Sequence, residues 1–355
     1  MNKNRNRFYT FVSIWLLFSN LCFGESLFQA NNLMPEEQNL INIFEKMAPL
    51  VVNVHKINHV INPSIGFVPV ETGAGSGFLW DDKGHIVTNY HVVAGANEVI
   101  VTFKNGKEAH AKILGIAPKK DIAVLKLNSK DLENLKFKQY PIINANELHV
   151  GQNVISIGNP FGLDHTLTRG IISALNRQLP QGDYSLHDLI QTDASINPGN
   201  SGGPLLNSQG GLIGMTTAIY STSGSSAGIG FAIPSNDIKK ITEQIIKDGK
   251  FVRAGIGITV FDDAIAQQLD IQGVLVNKVT PNSPASLVGL RGTKRDVDGG
   301  IILGDLIIQI NQHPIKSVKD LLTSLENTEA GDEIKLTVLR QGKTYNLSMH
   351  STQLD

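Results

Sequence analysis

Cysteine is almost absent from this chain. Cys22 is the only one in 355 residues, so no intrachain disulfide can support the fold, and stability has to come from core burial. A charge excess is missing too. Thirty-one Lys and Arg stand against 32 Asp and Glu, with no basic tract beyond the first residues, which argues against a nucleic-acid partner. Nothing resembles a phosphate-binding loop or a metal-ligand cluster, so neither a cofactor nor a metal is expected. Long apolar runs are lacking with one exception, Phe8 to Phe23. That run is shorter than the ~20 residues a helical span needs. It follows Lys3, Arg5 and Arg7 and ends before Gly24, the pattern of a secretory signal. Residues 1–24 are expected to be a signal peptide cleaved after Gly24, or an anchor if cleavage does not occur. Removal of this leader would take away Cys22 and move the formal charge from −1 to −4.

What the chain does contain fits a soluble globular protein of two or three domains: 41% hydrophobic and 18% charged residues. Between Pro35 and Met47, Leu40, Ile43, Phe44 and Met47 recur at helical spacing after Glu36 and Glu37. This helix is expected either to pack on the domain that follows or to make a subunit contact. From Val51 to Ile233, short β-branched runs alternate with Gly, Pro and Asn turns. The clearest are Val51–Ile57, Gly77–Trp80, Glu98–Phe103, Ile122–Leu127 and Gly211–Ile219. Many short strands without long intervening helices predict an all-β barrel or sandwich. Ser235 to Lys247 reads as a helix with Ser235 as its cap, Ile238, Ile241 and Ile245 on one face and Gly249 as its stop. It marks a domain boundary. Beyond it, Arg253 to Met349 is long enough for an independent domain of mixed strands and helices. Helix starts are predicted at Ser283-Pro284-Ala285 and at Ser317 to Asp320.

Chemistry concentrates at residues 197–205, Asn-Pro-Gly-Asn-Ser-Gly-Gly-Pro-Leu. A serine among glycines sits in a turn that can aim several N–H groups at one point, the requirement of an oxyanion hole. Such a serine needs a base and an acid to orient that base. His91 ends the β-branched run Ile86-Val87-Thr88-Asn89-Tyr90-His91, and Asp121 opens Asp121-Ile122-Ala123-Val124-Leu125. Each fragment alone is compatible with an ordinary turn or core role; their occurrence together, in the order His, Asp, Ser, is not readily so.

Three blocks, Thr88-Asn89-Tyr90-His91-Val92-Val93, Asp121-Ile122-Ala123-Val124-Leu125 and Gly199-Asn200-Ser201-Gly202-Gly203-Pro204-Leu205, resemble the active-site blocks of HtrA/Deg trypsin-like serine proteases of protein quality control. The resemblance extends from about Pro35 to the C-terminus. Gly162 to Thr168 and Gly292 to Asp296 look most like the branch that includes plastid-lumen Deg proteases. It implies an all-β, chymotrypsin-like double β-barrel over residues 35–248, each barrel six-stranded, followed by one α+β PDZ domain over 252–350. His91 and Asp121 would lie on the first barrel and Ser201 on the second, with the active site between them.

The expected roles follow. Ser201 attacks the peptide carbonyl, His91 takes its proton, and Asp121 holds the imidazole. N–H groups of Gly199, Ser201 and Asn200 hold the oxyanion. Ile196, Ile219 and Tyr220 belong to the walls of the primary pocket, where no carboxylate appears, so cleavage after small or medium aliphatic residues is expected rather than after Lys or Arg. By resemblance, Arg177 matches an arginine of a sensor loop that orders the oxyanion turn; the other reading is an exposed loop arginine. Gly255, Ile256, Gly257 and Ile258 match the loop that binds a C-terminal peptide carboxylate.

The resulting reading is an exported, ATP-independent endopeptidase acting on unfolded proteins, a homotrimer or larger, in the bacterial periplasm. The short connection between Lys56 and Thr72 argues against assembly beyond a trimer through that loop. Two other readings stay open, a chaperone or peptide-binding module with little proteolysis and a membrane-anchored signalling protease.

Overall fold

The computed structural model describes residues 33–131, 137, 140–160, 165–181, 184–219, 227–326, 328 and 330–354. Cys22 and the whole leader, Gly162 to Asp164 and Tyr220 lie outside the described residues. The chain divides into two compact units between Gly249 and Lys250.

The first unit opens with α1 (Pro35–Met47). Its apolar stripe is half used: Ile43 and Met47 are buried, and Ile43 lies beside Gly210 in a turn of the second barrel. The Glu37 carboxylate turns back to accept from the Met34 N–H at 2.8 Å, closing the first turn.

Two closed six-stranded barrels follow. The first is built from β1 (Val51–Asn62), β2 (Gly66–Leu79), β3 (His85–Thr88), β4 (Glu98–Thr102), β5 (Glu108–Ala117) and β6 (Ile122–Leu127), with α2 (Tyr90–Val93) between β3 and β4. Its strands close in the order β1-β2-β3-β6-β5-β4. The second is built from β7 (Asn153–Gly158), β8 (Thr166–Gln181), β9 (Tyr184–Thr192), β10 (Pro204–Asn207), β11 (Leu212–Ile219) and β12 (Gly230–Pro234), in the order β10-β11-β12-β9-β8-β7. Closure leaves no sheet edge to protect, and it explains the short, frequently interrupted apolar runs. The expected double barrel is thus present.

Val52, Val54, Phe78, Ile86 and Val124 are fully buried in the first barrel, and Val154, Ile172, Leu205 and Ile213 in the second. Phe78 meets Tyr140 edge to face at 6.0 Å, and the Tyr140 hydroxyl donates to the Leu79 carbonyl at 2.8 Å. Burial, reinforced by the nearby Asp81 charge, pushes the Tyr140 phenol well above its usual range. The segment expected as a short connection between Lys56 and Thr72 is a continuous antiparallel ribbon. β1 and β2 stay paired out to Asn62 and Gly66, with Ile61, Ile65 and Phe67 exposed near its tip.

The helix that ends this unit, α3 (Ser235–Asp248), buries Ile238, Ile241 and Ile245, and Gly249 stops it at φ 74°. Its start corrects the sequence reading. Pro234 holds the cap position without a side-chain cap, whereas Ser235 is the first helical residue and donates its hydroxyl to the Ile143 carbonyl at 2.5 Å. A serine hydroxyl satisfies whichever acceptor the tertiary fold brings nearest, and here that acceptor is 92 residues away.

The second unit contains β13 (Arg253–Gly255), β14 (Ile258–Val260), α4 (Asp263–Gln268), β15 (Val274–Val279), α5 (Pro284–Leu287), β16 (Lys294–Arg295), β17 (Ile301–Ile302), β18 (Leu306–Ile310), β19 (His313–Pro314), α6 (Val318–Glu326), β20 (Glu333–Arg340), β21 (Lys343–His350) and β22 (Thr352–Leu354). The main sheet runs β14-β15-β18-β20-β21, so β14 is an edge strand. Both helix starts match the sequence. Ser283 caps α5 by accepting from the Ser286 N–H at 3.2 Å. Ser317 and Asp320 form a reciprocal box at α6: the Asp320 N–H donates to Ser317 Oγ at 3.2 Å, and the Ser317 N–H donates to Asp320 Oδ2 at 3.0 Å. The core gathers Ile256, Val276, Ile307, Leu321, Ile334 and Val338. Arg340 grips the fully buried Asp305 through two bonds, Nε to Oδ1 at 2.6 Å and Nη2 to Oδ2 at 2.7 Å.

Candidate active site

Three segments of the first unit converge. His91 lies in α2, a single turn after β3. Asp121 follows a one-turn 3-10 helix at Pro118–Lys120 with φ 53°, a left-handed conformation that aspartate tolerates. This bend places the buried carboxylate under the imidazole before β6 begins. His91 Nδ1 lies 3.0 and 2.9 Å from Asp121 Oδ1 and Oδ2, and the His91 backbone N–H donates to Oδ1 at 3.0 Å. In the neutral imidazole, donation by Nδ1–H would make Nε2 the proton acceptor. The His91 side chain is 50% exposed whereas the Asp121 side chain is 7% exposed, so an open imidazole stands over a buried carboxylate.

The backbone around this pair is held as well. Asn89 is fully buried and donates its amide to the Asp121 carbonyl at 3.0 Å, which also accepts from the Tyr90 N–H at 3.1 Å. From the second barrel, Thr217 on β11 donates its hydroxyl to Asp121 Oδ2 at 2.5 Å. Neither Asn89 nor Thr217 was singled out in the sequence. Asn89 could have been, from its place two residues before His91. Thr217 could not, because it reaches Asp121 across 96 residues of chain.

Ser201 sits in the turn between residues 197 and 203, part-buried, with its hydroxyl donating to the Thr217 carbonyl at 3.1 Å. The glycines around it are required by packing. Gly199 has φ 99°, and a Cβ there would lie 2.5 Å from Pro160 Cβ. Gly202 has φ 86°, and a Cβ there would strike the Ser76 carbonyl. The N–H groups of Gly199 and Ser201 have no acceptor among the described residues. Asn200, expected as a third donor, corrects the sequence reading. Its N–H donates to the Asn197 carbonyl at 3.0 Å and tightens the turn from within.

Other expected residues fall in less uniform places. Ile196 is buried, and a Cβ on Gly230 would sit 2.7 Å from it, so the two define a close-packed wall. Ile219 ends β11, and Tyr220 lies outside the described residues. Arg177, expected in a loop, is on β8 opposite Leu189, beside ladder irregularities. It is exposed and donates through Nε to Gln191 Oε1 at 2.9 Å. Among the described residues, no group of three or more His, Cys, Asp or Glu could hold a metal ion, and no helix is long and apolar enough to cross a membrane.

In the second unit, Gly255 ends β13, Ile256 is buried, Gly257 takes φ 78° and Ile258 opens β14. A Cβ on Gly257 would strike Ser283. The carbonyls of Ile256 and Gly257 turn inward and accept from the N–H groups of Ala285 and Thr280, both at 2.9 Å. Their own N–H groups have no acceptor among the described residues.

Comparison with known proteins agrees with this architecture. Residues 75–215 match the trypsin-like peptidase domain and residues 252–350 match the PDZ domain. The chain is 43% identical over 311 residues to Protease Do-like 1, chloroplastic, of Arabidopsis thaliana, covering 87% of this chain and 70% of that protein. A probable periplasmic serine endoprotease DegP-like of Chlamydia trachomatis serovar D is 41% identical over 286 residues, covering 79% of this chain and 54% of that protein. Among solved structures, the HtrA-type protease AlgW with decapeptide aligns at TM-score 0.76 and 33% identity, covering 89% of this chain and 98% of that one. The serine endoprotease from Yersinia pestis aligns at 0.66 and 36%, with 89% and 98% coverage. With likeness of this extent across both the double barrel and the unit behind it, the chain belongs to the HtrA/Deg family of trypsin-like serine endopeptidases carrying one PDZ domain.

Proposed function

We propose that Ser201 is the nucleophile, His91 the general base and Asp121 the residue that orients and charge-stabilises the imidazole. The protease domain would span 35–248 and the PDZ domain 252–350. The observation that carries this reading is the Asp121 carboxylate bonded to His91 Nδ1, set beside a glycine turn with two unengaged N–H groups. In the reaction the Ser201 hydroxyl rotates from the Thr217 carbonyl to His91 Nε2, gives up its proton and attacks the scissile carbonyl. The N–H groups of Gly199 and Ser201 receive the oxyanion, one such donor being worth about 3 kcal/mol. His91 then protonates the leaving amine, and water repeats the sequence on the acyl-enzyme.

The substrates are unfolded proteins outside the cytoplasm. Residues 1–24 act as leader or anchor, and the periplasm is the destination proposed. A C-terminal peptide adds to the open edge of β14, its carboxylate on the Ile256 and Gly257 N–H groups; the AlgW structures were solved with a decapeptide and a tripeptide. Arg177 couples peptide binding to the turn through Gln191, which leads by way of Thr192 into residues 194–201. Assembly is homotrimeric or larger, with the exposed Leu33, Met34 and Ile41 around α1 as the contact.

Labelling with a fluorophosphonate and cleavage of denatured casein, with and without a C-terminal peptide, test the reading. Labelling at Ser201 and cleavage stimulated by the peptide are expected. Residual cleavage by a clean Ser201→Ala preparation would refute the nucleophile. Capture of casein by the wild type without cleavage would favour the chaperone reading instead.

A further inference from the structure

Ser76 belongs to β2 of the first barrel, yet most of its hydrogen bonds reach the second. It is fully buried. Its hydroxyl donates to the Gly199 carbonyl at 2.6 Å and accepts from the Asn159 N–H at 2.9 Å. Its backbone N–H donates to the Ser201 carbonyl at 2.7 Å. Its carbonyl accepts from Thr88 Oγ1 at 2.7 Å, which ties the residue back to β3 of its own barrel. Gly199 and Ser201 are residues of the turn whose N–H groups have no acceptor among the described residues, and Ser76 holds the carbonyl of each. The fit is close on both sides. A Cβ at Gly75 would lie 3.1 Å from the Ser201 carbonyl, and one at Gly202 would meet the Ser76 carbonyl.

We infer that Ser76 is a positioning residue that sets the oxyanion hole from the opposite barrel. A peptide N–H can point at a developing oxyanion only if the adjacent carbonyls point elsewhere, since a carbonyl dipole aimed into the hole repels negative charge. A turn of three glycines has little rigidity of its own. Ser76 draws the Gly199 and Ser201 carbonyls toward β2 and so fixes the torsions that aim the two N–H groups into the cleft. The hydroxyl is the part that substitution can remove, because the backbone N–H to Ser201 stays in any variant. The hydroxyl acts on a transition-state interaction, so its loss lowers kcat and leaves KM unchanged.

This inference rests on Ser201 as nucleophile, and the test separates the two. Wild type and Ser76→Ala are compared for kcat and KM on a peptide substrate, for affinity toward a peptide boronate that places an oxyanion in the hole, and for affinity toward the matching non-covalent product peptide. The expected result is a fall of about 10- to 100-fold in kcat, part of what a direct oxyanion donor contributes. Boronate affinity should fall to the same extent, with KM and product affinity unchanged. Unaltered kcat, or a loss of thermal stability or KM with boronate affinity intact, overturns the inference. Should the alanine variant not fold, Ser76→Cys keeps a weaker donor in place and is read by the same two outcomes with a smaller fold-change. A wild type that a fluorophosphonate leaves unlabelled at Ser201 would fail the nucleophile assignment itself, whatever Ser76 does.

Discussion

Thr217 donates its hydroxyl to Asp121 Oδ2 at 2.5 Å, while its own carbonyl accepts from the Ser201 hydroxyl at 3.1 Å. One residue of the second barrel therefore touches both Asp121 and Ser201. The Asp121 carboxylate, on a side chain only 7% exposed, accepts from two groups of His91 and from Thr217. A buried carboxylate that loses a donor is destabilised by about 1.5–3 kcal/mol. Thr217→Val keeps the shape and removes that donor. A roughly 10-fold fall in kcat/KM is expected, with Thr217→Ser near wild type, checked by steady-state peptide hydrolysis.

The proposed pocket walls predict a cleavage preference. Residues 194–196 and 218–220 carry no carboxylate, and Ile196 is buried beside Gly230. A lysine or arginine side chain would be desolvated there without a counter-charge, a cost of several kcal/mol. A peptide library should show cleavage after small or medium aliphatic residues. Dominant cleavage after Lys or Arg would refute this assignment of the walls.

Gly257 gives a separate handle on the second unit. At φ 78°, with Ser283 against its Cα, it admits no side chain without displacing the loop. Gly257→Val should weaken binding of a C-terminal peptide by at least about tenfold, the equivalent of one neutral hydrogen bond. Fluorophosphonate labelling of Ser201 should be unaffected. Titration of a fluorescent peptide against the variant checks it.

Asp320 predicts a pH effect. Burial acts to raise its pKa, but hydrogen bonds from the Lys316 N–H, the Ser317 side chain and the Ser317 N–H, with the Lys316 charge, outweigh it and hold the carboxyl below its usual range. A folded pKa below the unfolded one contributes stability above the unfolded value, about 3.9, and that stability is lost as pH falls through the folded value. Asp320→Ala should destabilise the second unit by about 1 kcal/mol at neutral pH. The difference from wild type should narrow as pH falls from ~3.9 through the folded value. Urea unfolding at several pH values measures it.

Legibility differed by the range of the interactions involved. The helices at 35–47 and 235–248 were readable because their apolar periodicity is local, as were the cap at Ser283 and the box at Ser317. The cap at Ser235 was misread because its hydroxyl is claimed by Ile143 from outside the helix. Asn200 was misplaced among the oxyanion donors because a turn can direct an N–H inward or outward, and composition does not say which. Ser76 escaped notice although it too is a serine between glycines, since its partner lies 123 residues away.

The sequence by itself determined the β-rich character of residues 51–233 and picked out His91, Asp121 and Ser201 as the candidates for base, acid and nucleophile, because these depend on residue identity and near-neighbour pattern. Only the tertiary structure decided how the site is held. Thr217 on Asp121, Ser76 on the Gly199 and Ser201 carbonyls, and the unengaged N–H pair arise where two barrels close against each other. Hydrogen bonds of that kind are set by three-dimensional proximity, and no spacing along the chain encodes them.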